Sequence, residues 1–189
     1  MTHSEPTALV VVDMQQGFDD ASWGRAVQRE ECDRNVVRLL DAWTDQGWPI
    51  VVVRHDSVHQ ESPLRPAHPG NALLPAVAAA RADLLVTKTV NSAFYGTPDL
   101  DAWLRGEGIG RIVVCGIQTN MCVETTARMG GNLGYEVVVP LDATSTFDLA
   151  GPDGTVLPAE ELIRATTTNL HGGGFAQVVT TSALLAQAR

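Results

Sequence analysis

Short runs of Val, Ile and Leu alternate along the chain with longer segments that carry apolar residues on one helical face. The apolar runs are ALVVVD, PIVVVR, LLVTK, RIVVCG, YEVVVP and AQVVTT. Strands that are apolar at successive positions are buried on both faces, which is typical of parallel sheets covered by helices. The pattern therefore predicts the α/β class, with a mostly parallel sheet of about six strands in a three-layer α/β/α sandwich.

Segments of helical periodicity separate these runs. They are ECDRNVVRLLDAWTDQG, LLPAVAAARA, DLDAWLRGEG, the stretch after Cys122 and ELIRATTTNLHG. Glycine adopts the left-handed conformation that ends many helices, so we expect helix ends near Gly47, Gly108, Gly130 and Gly134. Pro98 fits the first turn of a helix after Thr97.

One long irregular segment extends from His55 to Asn71 and contains three prolines, Pro63, Pro66 and Pro69. Its length and composition predict a functional loop. The chain shows no internal repeat and no stretch of linker composition. We therefore expect a single domain over residues 1–189.

Composition and charge exclude several classes of function. The 189 residues, 44% hydrophobic and 19% charged, suffice for one well-buried core. A net charge of -9 argues against nucleic-acid binding, which needs clustered Lys and Arg. Three irregularly spaced cysteines, no signal-like pattern in MTHSEPT and no membrane-length apolar run lead us to expect a soluble, cytoplasmic protein without a membrane partner.

Polar residues follow several of the predicted strands. Because ligands bind beyond the carboxyl ends of parallel strands, these residues are candidates for one site. They are Asp13, Arg54 and His55, Lys88, Gly116 to Gln118 with Cys122 after them, and Asp142. We expect Asp13, Lys88 and Cys122 to converge at one edge of the sheet.

Cys122 lies between the run RIVVCG and a helical segment. A helix N-terminus favours a thiolate over a thiol, which makes this cysteine a candidate nucleophile. A nucleophilic thiol needs a base or a nearby cation, and Asp13 and Lys88 supply one of each. The alternatives are a small buried side chain at Cys122 and a strand-end ion pair between the other two. Cys115 is expected in the core, and Cys32 at a half-buried helix surface.

Four motifs carry a resemblance to a known family. VVDMQQGF, TKTVNSAFYGT, GIQTNMCVETTAR and HGGGFAQVVTT resemble, in order and spacing, the motifs of the isochorismatase-like cysteine hydrolases. The similarity extends from Ala8 to about Thr181. It implies a catalytic triad of Asp13, Lys88 and Cys122 that hydrolyses small amides through a thioester.

The resemblance also implies a mechanism. Asp13 would take the thiol proton, Cys122 would attack the carbonyl carbon, and Lys88 would stabilise the charges. A cis peptide between Ile117 and Gln118 would place the N–H groups of Gln118 and Cys122 together as an oxyanion hole. Family members are commonly homo-oligomers, and we expect the same here.

The chain differs from the metal-dependent members of the family after the second strand. Nicotinamidases carry Asp-x-His after the second strand, whereas this chain has RHDSVHQ, with His55 in the Asp place and Ser57 in the His place. We therefore expect no metal and no cofactor. A site of different spacing, built from His55, His59 and His68, is the alternative.

Several residues that follow the predicted triad positions along the chain are candidates to line the substrate pocket. They are Phe18, Trp23, His55, Asn91, Phe94, Tyr95 and Gln118. For Phe18 and Phe94 the alternative is simple core packing. Arg65 is a candidate contact for an anionic group or a solvated side chain. The segment RHDSVHQESPLRPAHPG is also similar to a subgroup that includes streptothricin hydrolases.

Hydrolysis of a small-molecule amide or another C–N bond is the predicted function. Isochorismatase-type vinyl ether hydrolysis is an alternative, but enzymes of that type characteristically lack the nucleophilic cysteine that this chain has. A non-catalytic small-molecule-binding protein of the same fold is another. A nucleotide-binding Rossmann-like module is disfavoured because DMQQGFDD, not G-x-G-x-x-G, follows the first strand.

Overall fold

A largely parallel sheet forms the centre of the protein in a computed structural model that describes residues 6–187. The strands are β1 (Thr7–Val12), β2 (Ala26–Val27), β3 (Ile50–His55), β4 (Leu84–Lys88), β5 (Arg111–Ile117), β6 (Glu136–Pro140), β7 (Thr144–Phe147), β8 (Leu149–Ala150), β9 (Val156–Leu157) and β10 (Gln177–Val179). The α-helices are α1 (Arg29–Gln46), α2 (Pro75–Ala78), α3 (Leu100–Gly106), α4 (Glu124–Asn132), α5 (Ala159–Gly172) and α6 (Thr181–Gln187).

The main sheet has eight strands, and six of them form a path in the order β10-β6-β5-β1-β3-β4 in which every pair is parallel. Off this path, β7 pairs with β5 and β2 pairs with β7. The order reverses direction at β1, whose Val12 lies opposite Val53 on one side and Gly116 on the other. This is a Rossmann-like arrangement, and ligands in such sheets bind at the carboxyl ends of the strands beside the reversal point. The predicted sheet is confirmed, and its topology selects the β1–β5 edge as the site.

Residues of β1 alternate between two hydrophobic cores, one on each face of the sheet. Leu9 and Val11 pack in a core with buried residues of α1, α2 and α6. Ala8, Val10 and Val12 pack in a second core with residues of α3, α4 and α5. The strand is therefore buried on both faces, and the three-layer α/β/α prediction is confirmed.

Helix α1 was predicted well because its buried residues follow a clear helical pattern. Its buried apolar stripe has helical spacing and consists of Val36, Leu39, Leu40 and Trp43. The Trp43 indole Nε1 donates to the carbonyl of Thr7 at 2.8 Å, which ties the helix to the first strand. Burying each such aliphatic side chain stabilises the fold by about 1.5–3 kcal/mol. Gly47, with φ 65°, ends the helix as predicted.

The helix predicted over LLPAVAAARA is much shorter than expected and extends only over Pro75–Ala78. Residues before it are held in an extended conformation by the site loop. The Leu74 N–H donates to the Met14 carbonyl at 2.8 Å, and Gln16 Nε2 donates to the Leu73 carbonyl at 3.1 Å. These tertiary hydrogen bonds outweigh the helical propensity of the alanines.

Two local predictions at glycine and proline are wrong. Pro98 follows a cis peptide bond and precedes α3, whose N-cap is Asp99. Gly130 lies inside α4, where a Cβ would come within 3.1 Å of Ile112 and Val137, so its small size permits close helix–sheet packing. Gly108 and Gly134 have positive φ just beyond helices, as predicted.

Other features are not visible as apolar runs. The short antiparallel pair β2–β7, the hairpin β8–β9 and helix α6 were not predicted. Cys32 is fully buried in α1 rather than half-exposed, because it faces the core with Cys115. Over residues 6–187, none of the helices has the length and apolarity to span a membrane. Residues 1–5, most of the segment for which no signal peptide was expected, lie outside the described range.

Gly116 provides a test of the close approach between β1 and β5. Its φ is 117°, and a Cβ at this position would overlap the backbone of Val12. Gly116→Ala should therefore lower the free energy of unfolding by about 3 kcal/mol or more, measured by urea denaturation. Gly134→Ala is the matched control, since φ is 91° but the space is open. Its cost should stay near 1–2 kcal/mol, and equal losses in the two variants would contradict the packing argument.

Candidate active site

Three separate segments carry the polar groups at the sheet edge. Asp13 directly follows β1 and has φ 51°, in the left-handed region that Asp tolerates better than most residues. Lys88 is the last residue of β4, and Cys122 lies in a single π-helical turn, Thr119–Val123, between β5 and α4. The structure brings the three together, as the strand-end argument predicted.

The Lys88 ammonium contacts three other side chains of the site. Its Nζ donates to Asp13 Oδ2 at 2.6 Å and to Cys122 Sγ at 3.4 Å, and lies 3.2 Å from His55 Nδ1. An ammonium has three N–H groups and no acceptor, so each contact takes one donor. The His55 Nδ1 therefore accepts, and its ring proton is on Nε2. The Asp13 and Lys88 side chains are 0% exposed.

Asp13 has one engaged oxygen and one free oxygen. Within the described chain, Oδ1 is buried without a hydrogen-bond partner, whereas Oδ2 accepts from Lys88. Burial raises the pKa of Asp13 above its usual value, and the Lys88 charge opposes that rise. A carboxylate oxygen of Asp13, a ring nitrogen of His55 and Cys122 Sγ all lie within 4.8 Å of one another. The arrangement suits transfer of a proton between Cys122 and Asp13.

Burial favours the thiol form of Cys122 and opposes the effect expected from its helix position. Burial raises its pKa to about 12, the Asp13 charge adds to the rise, and Lys88 opposes it. Desolvation outweighs the helix dipole here, since the side chain is only 8% exposed. Sγ lies 3.8 Å from Asn91 Oδ1. A nucleophile of this kind needs a base at the moment of attack.

Two buried amides that the sequence did not single out hold His55 in place. Gln15 Oε1 accepts from the His55 backbone N–H at 2.9 Å, and Gln15 Nε2 donates to the His55 carbonyl at 3.0 Å. Asn71 Nδ2 also lies 3.2 Å from that carbonyl. Burial and the Lys88 charge lower the pKa of His55 to about 4, so the imidazole is neutral near pH 7. The one available signal was a polar Gln, Gln15, two residues after Asp13 at the end of the first strand.

A cavity of about 220 Å³ opens over the triad. Its lining consists of Asp13, Phe18, Trp23, His55, Leu64, Asn91, Gln118, Met121 and Cys122. Five predicted pocket residues are thus present, and Leu64 and Met121 were missed. Phe18, Trp23 and Phe147 form an aromatic cluster with centroids 5.0–6.0 Å apart. The cavity is consequently apolar on its walls and charged at its base.

Two predicted pocket residues do not line this cavity. The Phe94 ring stacks on Tyr135 with centroids 5.7 Å apart and packs against the second core. This is the core packing given above as the alternative for Phe94. Tyr95 is 71% exposed and lies on the outer surface with Val90 and Met129. A short 3₁₀ turn after Lys88 directs both side chains away from the triad.

Comparison with known proteins decides the family. A model of the isochorismatase domain matches residues 7–171. The isochorismatase family protein YrdC of Bacillus subtilis is 34% identical over 181 residues, which cover 96% of this chain and 95% of YrdC. The chain belongs to the isochorismatase family of hydrolases. The motif resemblance is thereby confirmed.

Further similarities lie within the same family. Streptothricin hydrolase of Streptomyces noursei is 34% identical over 160 residues, covering 84% of this chain and 57% of that protein. An isochorismatase-family hydrolase from Chromobacterium violaceum has a crystal structure with a TM-score of 0.89 and 37% identity, covering 100% of this chain and 95% of that one. A cysteine hydrolase from Pseudomonas syringae pv. phaseolicola has a TM-score of 0.85 and 25% identity, covering 100% and 98%.

The site does not fit the divalent metal of some family members. Among residues 6–187, the one group of three potential ligands close enough together is Asp13, His55 and Cys122. The Lys88 ammonium contacts all three side chains, so a positive charge already occupies the position that a cation would need. His59 and His68 do not join this group. His68 Nδ1 instead accepts from the Gly70 N–H at 3.0 Å.

The buried ion pair yields a stability prediction. Lys88→Met leaves the Asp13 carboxylate uncompensated in a desolvated site, and should cost about 3–5 kcal/mol in urea unfolding at pH 7. The double variant Asp13→Asn with Lys88→Met removes both charges and should recover part of that loss. A double variant at least as unstable as Lys88→Met alone would refute the charge argument.

His55 yields a prediction for pH. In the unfolded chain this imidazole takes a proton near pH 6.5, whereas its pKa in the fold is about 4. The unfolded state therefore binds more protons between these values, and His55 lowers stability as the pH falls from 6.5 to 4. His55→Gln should lose less stability than wild type over that interval in urea titrations. Above pH 7.5 the stability difference between the two proteins should no longer change with pH; parallel curves throughout would count against the shift.

Proposed function

We propose that this isochorismatase-family hydrolase cleaves the C–N bond of a small-molecule amide through a thioester on Cys122. The observation that carries the proposal is the contact of one buried ammonium with both a carboxylate and the thiol at the base of a cavity. Nucleophile, base and charge-stabilising group thus lie within reach of one bound carbonyl.

The first half of the reaction forms the thioester. The Asp13 carboxylate takes the thiol proton as Sγ forms a bond to the carbonyl carbon, and the carbonyl oxygen becomes an oxyanion. The backbone N–H groups of Gln118 and Cys122 donate to that oxyanion. The tetrahedral intermediate then collapses, the C–N bond breaks, and protonated Asp13 gives its proton to the leaving nitrogen.

The second half restores the enzyme. Asp13 takes a proton from a water molecule, which attacks the thioester carbon through its oxygen. The C–S bond breaks, the carboxylic acid product forms, and the thiolate takes the proton back from Asp13. Lys88 keeps its charge throughout and stabilises whichever of Asp13 and Cys122 is ionised at each stage.

Burial of the site supports this use of Asp13. A carboxylate is an inefficient base in water because its pKa is far below neutrality. The elevated pKa of Asp13 strengthens it as a base, and the free Oδ1 is available to accept a proton. The apolar walls formed by Phe18, Trp23 and Leu64 keep the local dielectric low, which strengthens each charge interaction.

Amide hydrolysis is favoured over vinyl ether hydrolysis by the presence of Cys122. A relative whose name describes amide hydrolysis supports the same choice. Ureidoacrylate amidohydrolase RutB of Methylorubrum extorquens is 30% identical over 188 residues, covering 79% of this chain and 72% of that protein. We also infer a cytoplasmic location from the free state of Cys32, Cys115 and Cys122, and homo-oligomeric assembly from the resemblance.

The thioester gives a direct test. Wild-type protein incubated with a panel of small amides and lactams, with nicotinamide and isochorismate as reference compounds, should release ammonia or amine from at least one member. Acid quenching and mass spectrometry should then detect an acyl adduct on the Cys122 peptide. Cys122→Ala should abolish both signals, while its free energy of unfolding should stay within about 1 kcal/mol of the wild-type value.

Cys32→Ala is the matched control, since Cys32 is a buried thiol in α1 away from the cavity. It should retain the adduct even if stability falls. Turnover that persists in Cys122→Ala would exclude the thioester scheme.

A further inference from the structure

A second chamber adjoins the catalytic cavity. Its volume is about 430 Å³, nearly twice the 220 Å³ of the catalytic cavity. The two spaces share Trp23, His55, Leu64 and Asn91 in their walls, so they are direct neighbours. We name the second space the hydroxyl chamber, after the hydroxyl groups of Ser22, Ser57, Ser62 and Thr89 in its lining. A substrate that exceeds the catalytic cavity must extend into it.

Asp, Glu, Lys and Arg are absent from the described residues that line the hydroxyl chamber, and its titratable members are the imidazoles of His55 and His59. Charged groups nearby are directed to other partners. Asp56 forms an ion pair with Arg54 at 2.9 Å, and Asp20 accepts from the Ser22 backbone N–H at 2.9 Å. Arg65 donates to the Ser62 carbonyl at 3.1 Å. The chamber lining therefore offers no ammonium or guanidinium partner to a carboxylate, and no carboxylate partner to an ammonium.

Two of the hydroxyls are fixed in orientation by the backbone. Ser57 Oγ accepts from the His59 N–H at 3.3 Å, and Ser62 Oγ accepts from the Leu64 N–H at 3.1 Å. Each oxygen uses an acceptor position in this way, and its own proton stays available as a donor. Ser57 is also buried. The chamber thus presents hydrogen-bond donors at defined positions.

We propose that the hydroxyl chamber is a substrate-recognition subsite for an uncharged group rich in hydrogen-bond acceptors, attached to the scissile amide. Hydroxyl, ether and carbonyl oxygens satisfy the serine donors. A carboxylate or an ammonium loses part of its hydration on entering and finds no Asp, Glu, Lys or Arg side chain to pair with. This subsite rests on the proposed function and specifies its substrate class: a neutral, polar amide too large for the catalytic cavity alone.

Chloroacetamides of matched length test the subsite without knowledge of the substrate. The probes are N-(2-hydroxyethyl)-2-chloroacetamide, N-chloroacetylglycine and N-(2-aminoethyl)-2-chloroacetamide, whose tails are neutral, anionic and cationic. Alkylation forms the bond from Cys122 Sγ to the methylene carbon and breaks the C–Cl bond; chloride leaves, and Asp13 takes the thiol proton. Rates are measured by mass spectrometry of the Cys122 peptide and divided by the rates with N-acetylcysteine.

The neutral probe should react at least tenfold faster than either charged probe after this correction. Ser57→Ala and Ser62→Ala should each reduce the rate of the neutral probe several-fold. Ser62→Lys supplies a counter-ion and should raise the rate of the anionic probe above that in wild type. Ser182→Ala, at an exposed position in α6, is the matched control and should change none of the rates.

Two failures are distinguishable. Labelling of Cys122 at equal corrected rates by all three probes, or an unchanged anionic rate in Ser62→Lys, would overturn the hydroxyl chamber as a subsite and leave the nucleophile intact. Labelling of Cys122 no faster than that of Cys32 and Cys115 would overturn the proposed nucleophile, and the subsite with it.

Discussion

The buried ion pair between Asp13 and Lys88 sets the requirements that the rest of the fold meets. Both side chains are fully desolvated, so their burial costs several kcal/mol per ion unless hydrogen bonds compensate. Compensation requires acceptors for all three ammonium protons, and these come from the ends of β1 and β3 and from the turn after β5. The parallel sheet fixes the three strand ends at one edge. The strand order and the loop geometry are therefore both constrained by the need to supply hydrogen-bond acceptors to the Lys88 ammonium.

The same desolvation determines the chemistry of the groups around Lys88. It raises the pKa values of Asp13 and Cys122 and lowers that of His55, in each case by disfavouring the charged form. The result favours a neutral thiol at Cys122 and a neutral imidazole at His55 beside the ion pair. In the proposed reaction, Asp13 would therefore take the thiol proton during attack on a bound substrate.

Much of the fold follows from local sequence patterns. Continuous Val and Ile runs identified the six main strands, since only strands covered on both faces tolerate such runs. The stripe from Val36 to Trp43 identified α1. Shorter features were not predicted because they depend on distant contacts. Hydrogen bonds to the Met14 carbonyl and from the Gln16 side chain reduce α2 to one turn, and β2 exists through its pairing with β7. Propensity carries no information about such partners.

For the site, the sequence by itself singled out the candidate residues Asp13, Lys88 and Cys122, because they follow apolar strands in recognisable motifs. It also identified most of the inner pocket wall. Only the tertiary structure decided the central position of Lys88, the role of His55 as its third acceptor, and the placement of Phe94 in the second core and of Tyr95 on the surface. It also decided the burial that shifts the pKa values of the site. Strand ends are encoded locally by the hydropathy pattern. Desolvation and hydrogen-bond partners depend on residues far apart in the chain, which only the folded arrangement brings together.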